Sequence, residues 1–323
     1  MQKISLFILL VCMFGIGVDF TLAGQELTLY CGRSKPLVQP LIESFIQQTG
    51  IKVKLKDAKT AQLVLMLQAE GQHSPADLFW AQDAGALGTM ANAGRFEKLP
   101  DWVAQRVPKR LRNPDGYWIA TSGRARVLAF SPQRTVGQPW PSSVFDLVKP
   151  AYRGRVGWAP ANASFQSFVT AMRRSAGHQA TRQWLEAMRR NGTSSYPKNR
   201  AIIEAIAAGQ IDYGLPNHYY LMRFKVEDPQ FPVDQAAFDP GDVGNLINVA
   251  GIGVLATTKN RPAALLFVEF LLCEQAQRYF SNQTFEYPVT DLVDQSAIAP
   301  ELQLDDLEDL PGTLELLREV GLI

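Results

Sequence analysis

Histidine and cysteine are scarce in this chain, with three of each among 323 residues. His73, His178 and His218 share no zinc-type spacing and have no paired cysteines beside them, which excludes the common structural zinc modules. Cys12 lies in the N-terminal apolar segment. That leaves Cys31 and Cys273, enough for one disulfide, although nothing in the sequence shows that they meet. One-sided charge is lacking as well. Thirty-two basic and 31 acidic residues are scattered to a net +1, which excludes the electrostatic footprint of a nucleic-acid binder. There is no internal repeat, low-complexity tract or flexible linker, so solenoids and beads on a string are excluded too. The one early apolar run, Ile4 to Val18 within "MQKISLFILLVCMFGIGVDFTLAG", follows Lys3 and precedes a small-residue stop. It reads as a secretory signal peptide over residues 1–24, cut after Ala23 or Gly24. An uncleaved anchor is disfavoured, because the run is shorter than the ~20 residues of a bilayer span.

Signatures of catalysis are equally thin. "GIGVLA" at Gly251 has the G-x-G-x-x-A spacing of a dinucleotide loop, but strand-like residues continue through it and no helix opens on it. "SYPK" at Ser195 has S-x-x-K spacing without the companion motifs of acyl-transfer enzymes. No nucleophile and base are visible together, so the reading is of a protein that is not an enzyme.

What is present is an alternation of strands and helices in a chain of 46% hydrophobic and 20% charged residues, long enough for one large or two ordinary domains. "ELTLYCG" and "IKVKLKD" read as strands flanking a helix that has Leu37, Leu41, Ile42 and Phe45 on one face and Gly50 at its end. "TAQLVLMLQAEG" and "AGALGTMANAG" read as helices around the buried strand "PADLFWAQ". A second run holds the strands "ARVLAFSP", "GRVGWAP" and "IDYGLP", with helices from about Phe165, over "ATRQWLEAMRRNG" and over "NRAIIEAIAAGQ". "NLINVAGIGVLA" follows as a long extended stretch, then one helix over "RPAALLFVEFLLCEQAQRYF" and a last helix in "LPGTLELLREVGL". This pattern predicts an α/β protein of two lobes joined by strands, each lobe a mixed, mainly parallel sheet flanked by helices.

The stretch "NHYYLMRF" sets Tyr219 beside Tyr220 just after a strand and a proline. Such a dipeptide alone is a packing feature, since tyrosine is a large apolar body with one polar tip. The alternative is coordination: a ferric ion prefers charged oxygen donors and can draw a phenol of ordinary pKa about 10 into phenolate form. Two phenolates would neutralise two of its three charges. A bound anion held by helix N-termini could supply the third.

Over nearly its whole length after the signal, the chain resembles the periplasmic ferric-ion-binding proteins, receptors of ABC iron importers. The resemblance is carried, in order, by "LTLYCGR", "TGIKVKLKDAK", "SPADLFWAQDAGAL", "SGRARVLAF", "YRGRVGWAPANASF", "KNRAIIEAIAAGQIDYGLPNHYY", "GNLINVAGIGVLATTKNRPAALLFVEFL" and "FEYPV". It implies a type II periplasmic-binding-protein clamshell with an N-terminal lobe of residues 25–124 plus 249–300 and a C-terminal lobe of residues 125–248 plus 301–323. Hinge strands would run near Arg124–Phe130 and Leu246–Val254, with the ligand in the cleft between lobes. Tyr219 and Tyr220 match the family's tyrosine ligands. Asn162, Ala163 and Ser164 in "PANASF" match its anion-binding turn; Asn199 and Asn217 match anion-contacting asparagines, and Arg124 an arginine that contacts the anion in some members. The implied cargo is ferric iron with phosphate or carbonate as synergistic anion. The implied partner is an ABC importer permease in the inner membrane, served by a monomeric periplasmic shuttle.

This chain departs from the family's pattern in the N-terminal lobe. Ser34 stands where many members have a histidine ligand, and Gln82, followed by Asp83, where many have a glutamate. Ser34, Gln82 and Asp83 are therefore weaker metal candidates, and His218 is expected to pack or hydrogen-bond. The other ligand compatible with these residues is a different anionic or chelated small molecule, held by Arg124 and the turn with the tyrosines as stacking surfaces.

Overall fold

The computed structural model describes residues 24–290, 307 and 309–323. The expected signal peptide, except for Gly24, and residues 291–306 and 308 of the expected lobe assignment lie outside the described residues. Among the described residues no helix is long and apolar enough to cross a membrane.

The first layer grows from β1 (Glu26–Cys31), α1 (Lys35–Thr49), β2 (Lys52–Asp57), α2 (Thr60–Glu70), β3 (Leu78–Ala81), α3 (Ala84–Asn92), α4 (Asp101–Ala104) and β4 (Ile119–Ala125). α1 buries Val38, Leu41, Ile42 and Phe45, a three-to-four-residue stripe that faces the sheet. It ends where Gly50 adopts φ 72°, ψ 0° and donates its N–H to the Ile46 carbonyl. β3 is buried at all four positions, as a strand covered on both faces must be.

At Arg126 and Val127 the chain passes into a second layer: β5 (Leu128–Phe130), β6 (Val156–Trp158), α5 (Ala163–Ala176), α6 (His178–Arg190), β7 (Ser194–Ser195), α7 (Asn199–Ala207), β8 (Tyr213–Gly214), α8 (Tyr219–Glu227) and β9 (Asp234–Ala236). β10 (Ile247–Val254) returns to the first sheet, followed by α9 (Arg261–Leu271), α10 (Glu274–Tyr279) and α11 (Leu310–Glu319). α11 packs on α5, where the hydroxyls of Thr313 and Thr170 meet at 2.7 Å.

The sheets have orders β2-β1-β3-β10-β4 and β7-β6-β8-β5-β9, a two-lobed α/β architecture with helices on the sheet faces. Both are mixed. Parallel pairing joins β1 with β2 and β3, and β6 with β7 and β8. β10 and β5 pair antiparallel on both sides. The antiparallel share exceeds what strand-helix-strand alternation alone predicts, because strands next to the two interlobe crossings enter each sheet without a covering helix. The single helix expected after Asn260 is two, since the chain breaks at Leu272 and Cys273 before α10. Cys31 and Cys273 are buried thiols that are not bonded to each other.

Candidate metal and anion site

The tyrosine pair opens α8, and its placement is set by pairing with the crossing strand. Arg126 bridges Asn217 in antiparallel register. The Val127 N–H donates to the Pro216 carbonyl at 3.1 Å, and the His218 N–H to the Ala125 carbonyl at 3.0 Å. This zipper brings Tyr219 beside Arg124. The rings of Tyr219 and Tyr220 stack at 4.4 Å between centroids and 28° between planes. The Arg223 guanidinium lies over both, 4.8 Å from the Tyr219 centroid and 5.9 Å from that of Tyr220. Burial pushes the Tyr220 phenol well above the ordinary tyrosine value, and the Tyr219 phenol beside it, hydrogen-bonded to it, adds to the rise. Arg223 and Arg124 pull it partly back.

Arg124 is buried and donates Nη2 to the Gln82 carbonyl. Its Nε and Nη1 have no hydrogen-bond partner among the described residues. Burial lowers its pKa, while Tyr219, Glu286 and Asp83 act in the opposite sense. A buried guanidinium with two unpaired donors is costly unless something anionic meets it.

The turn Asn162–Ser164 lies at the start of α5. Asn162 Oδ1 accepts from the Ser164 N–H at 3.0 Å and from Ser164 Oγ at 2.7 Å. Asn199 Nδ2 donates to Ser164 Oγ at 3.2 Å, and Arg126 Nη2 donates to the Ser164 carbonyl at 2.7 Å. Ala163 is the first residue of α5, so its neighbourhood is the positive end of a helix. Asn199 Oδ1 and Asn217 Nδ2 are buried without partners among the described residues. Arg126, which the sequence does not single out, stands just past the end of β4, two residues after Arg124. Its terminal nitrogens brace the neighbouring backbone, Nη1 reaching the Leu215 carbonyl and Nη2 that of Ser164; the guanidinium lies 4.9 Å from the Phe168 ring, and Nε has no hydrogen-bond partner among the described residues. Burial, with Arg124 nearby, brings its pKa down to about 9.

The weaker candidates are placed less favourably. Ser34 is exposed, at the start of α1. Gln82 is half-buried and engaged through its backbone, its N–H donating to Thr60 Oγ1 at 3.3 Å. Asp83 is buried and caps α3, its Oδ1 accepting from the Ala86 N–H at 3.0 Å. Burial raises its carboxyl, against the Ala86 hydrogen bond and Arg124. His218 packs and hydrogen-bonds: Nδ1 accepts from the Ala125 N–H at 3.1 Å and Nε2 donates to the Phe285 carbonyl at 2.7 Å. Among the described residues no three His, Cys, Asp or Glu side chains form a metal-holding group. Hard oxygen donors at this place are the two phenols.

A family model described as bacterial extracellular solute-binding protein matches residues 73–307. The chain belongs to that family of solute-binding proteins. This solute-binding protein is 31% identical over 321 residues to the Fe(3+)-binding periplasmic protein of Serratia marcescens, covering 96% of this chain and 95% of the other. Its fold matches iron-bound HitA from Pseudomonas aeruginosa with a TM-score of 0.85, 31% identity and coverage of 92% and 99%. It also matches the Trichodesmium protein (IdiA, FutA) in complex with iron and citrate, with a TM-score of 0.80, 28% identity and coverage of 92% and 100%.

Proposed function

We propose that this solute-binding protein is a non-enzymatic, monomeric periplasmic receptor that captures ferric ion with a synergistic anion and delivers it to an ABC importer permease. The observation that carries the reading is the stacked pair of buried Tyr219 and half-buried Tyr220 beside Arg124, whose Nε and Nη1 lack partners among the described residues. Two phenolates supply two negative charges to the metal. An anion such as phosphate or carbonate fits against the unpaired donors of Arg124 and Asn217 and the N-terminus of α5 at Asn162, Ala163 and Ser164, with Asn199 behind them. Relatives named Fe(3+)-binding periplasmic protein and major ferric iron-binding protein, and the iron-bound HitA structure, support iron as the cargo.

In this reading the lobes divide at the two crossings, the described residues of 25–124 plus 249–300 going to one and those of 125–248 plus 301–323 to the other. The metal then sits where closure of one lobe on the other would cover it. Ferric citrate added to metal-free protein tests the reading. A visible phenolate-to-iron absorption band that weakens or shifts in both Tyr219→Phe and Tyr220→Phe supports it. A colourless protein, or a band untouched by both substitutions, overturns it.

A further inference from the structure

Residues 284–287, the sequence Thr-Phe-Glu-Tyr, lie outside the set of phenols and anion donors, yet each is tied to the helix that carries the phenols or to its support. Two backbone carbonyls reach α8 directly. The Phe285 carbonyl accepts from His218 Nε2 at 2.7 Å, and the Thr284 carbonyl accepts from Arg223 Nη2 at 3.4 Å. Arg223 is the residue whose guanidinium covers both tyrosine rings. Tyr287 lies flat on the His218 imidazole, centroids 4.4 Å apart and planes 5° apart. His218, the residue that precedes α8, is thus held at both ring nitrogens and on one face.

The segment itself is fastened to the first sheet. Glu286 is buried and pairs with Arg33 at 2.5 Å. It also accepts from Ser122 Oγ at 3.2 Å and Thr284 Oγ1 at 3.0 Å. Arg33 is in turn sandwiched near the Trp80 and Phe280 rings, 5.3 and 5.5 Å from their centroids. Tyr287 exchanges two backbone hydrogen bonds with Gly123, at 2.7 and 2.8 Å, one residue before Arg124.

Phe285 is the one non-glycine residue with positive φ among the described residues, at φ 58° and ψ 29°. A bulky aromatic residue held in the left-handed region is disfavoured, and such conformations persist where surroundings over-determine them. Here the conformation aims the Phe285 carbonyl at His218 while Glu286 stays under Arg33.

We propose that Thr284–Tyr287, anchored by the buried Glu286–Arg33 pair, is a positioning element that fixes the first turn of α8 and thereby the two phenols. It rests on the reading of Tyr219 and Tyr220 as metal ligands and acts through His218 and Arg223, without touching the metal. Supporting shells of this kind orient ligands, and their loss weakens metal sites by about 10–100-fold. The element joins the sheet bearing Arg33 and Ser122 to the helix bearing the tyrosines, so it also sets how the phenols sit relative to Arg124.

Two variants of the full chain test this, Glu286→Gln, which keeps the shape but removes the charge, and Phe285→Gly, which keeps the accepting carbonyl but frees the backbone. In iron-free protein, amide hydrogen exchange of residues 219–224 should quicken in both while helices of the opposite lobe face keep their protection. In ferric-loaded protein the absorption band should shift, and removal of iron by EDTA should speed up by about tenfold or more. The inference is overturned if both variants fold and exchange α8 amides and release iron like the parent, or if Glu286→Gln lowers the melting temperature with no change confined to α8. Should Glu286→Gln not fold, Phe285→Gly decides by the same measurements. If the parent itself shows no iron band, the ligand reading fails, and the α8 exchange in iron-free protein still decides whether the segment positions that helix.

Discussion

The stacking of Tyr220 on Tyr219, with burial raising the Tyr220 phenol, keeps Tyr220 protonated in the metal-free protein at neutral pH. Coordination needs the phenolate, so metal entry must expel that proton. Apparent iron affinity should therefore fall as pH falls, by up to about one log unit per pH unit for each phenol that ionises. Competition titrations between pH 8 and 6 check the slope; an affinity independent of pH would mean that the phenols do not ionise on binding.

Replacing Tyr219 or Tyr220 by Phe keeps the ring and removes the donor. Each substitution should cost at least about tenfold in iron affinity, in line with the loss of one anionic ligand. The fold should survive in both, because the ring stack is retained. Equal affinity of both variants and parent in the same competition assay would exclude the pair as ligands.

Arg124→Ala removes a buried guanidinium whose Nε and Nη1 are unpaired. If those donors hold an anion as proposed, the variant should bind iron more weakly, and added phosphate or carbonate should restore part of the loss by mass action. Isothermal titration with and without anion reads the difference. Identical iron binding by parent and variant in anion-free buffer would break the ternary scheme.

Glu286 shows a different acid sensitivity. Its burial alone would raise the carboxyl, but Arg33, Arg124 and the Thr284 hydroxyl together outweigh that and hold the pKa below the ordinary glutamate value. A carboxylate depressed in the folded state contributes stability that is fully present above its unfolded pKa and lost as pH falls through the lower folded value. Melting temperature should thus drop below about pH 4.5, the unfolded range of glutamate, while iron loss begins at higher pH through the phenols. Arg33→Ala, which strands the buried Glu286 charge, should cost about 3–5 kcal/mol at neutral pH in chemical denaturation.

How far these features could be read beforehand depends on sequence distance. The β1-α1-β2 unit was legible because Leu41, Ile42 and Phe45 recur at helical spacing and Gly50 ends the helix. The break between α9 and α10 was not, because the apolar run continues through Leu271, Leu272 and Cys273 and periodicity cannot see a turn inside it. Tyr219 and Tyr220 stand out as a local motif, whereas the Asn162–Ser164 turn is singled out only through the family resemblance. Arg33 and Glu286 are 253 positions apart. No local pattern pairs a buried cation with a particular buried anion, so their partnership, and the bracing role of Arg126, come only from the fold.

The last prediction concerns Ser34 and Gln82. With Ser34 exposed, Asp83 spent on capping α3 and the Gln82 carbonyl taken by Arg124, positions 34 and 82 offer the proposed metal no imidazole and no glutamate. A ligand shifts an open-closed equilibrium only through its differential affinity for the two states, so iron held by α8 and an anion alone supplies little drive to close. Iron should therefore be removed readily by competing chelators. Ser34→His combined with Gln82→Glu adds a nitrogen and a carboxylate donor on the opposite wall. The double variant should release iron more slowly, by about tenfold or more, and should become more compact on loading in solution scattering. Gln82→Glu leaves the backbone carbonyl that Arg124 uses intact, so the anion site stays available in the same protein. If the parent already compacts fully on iron and resists EDTA as well as the double variant does, the opposite wall contributes a ligand without these substitutions, and Asp83, released from its cap, is the side chain to replace first.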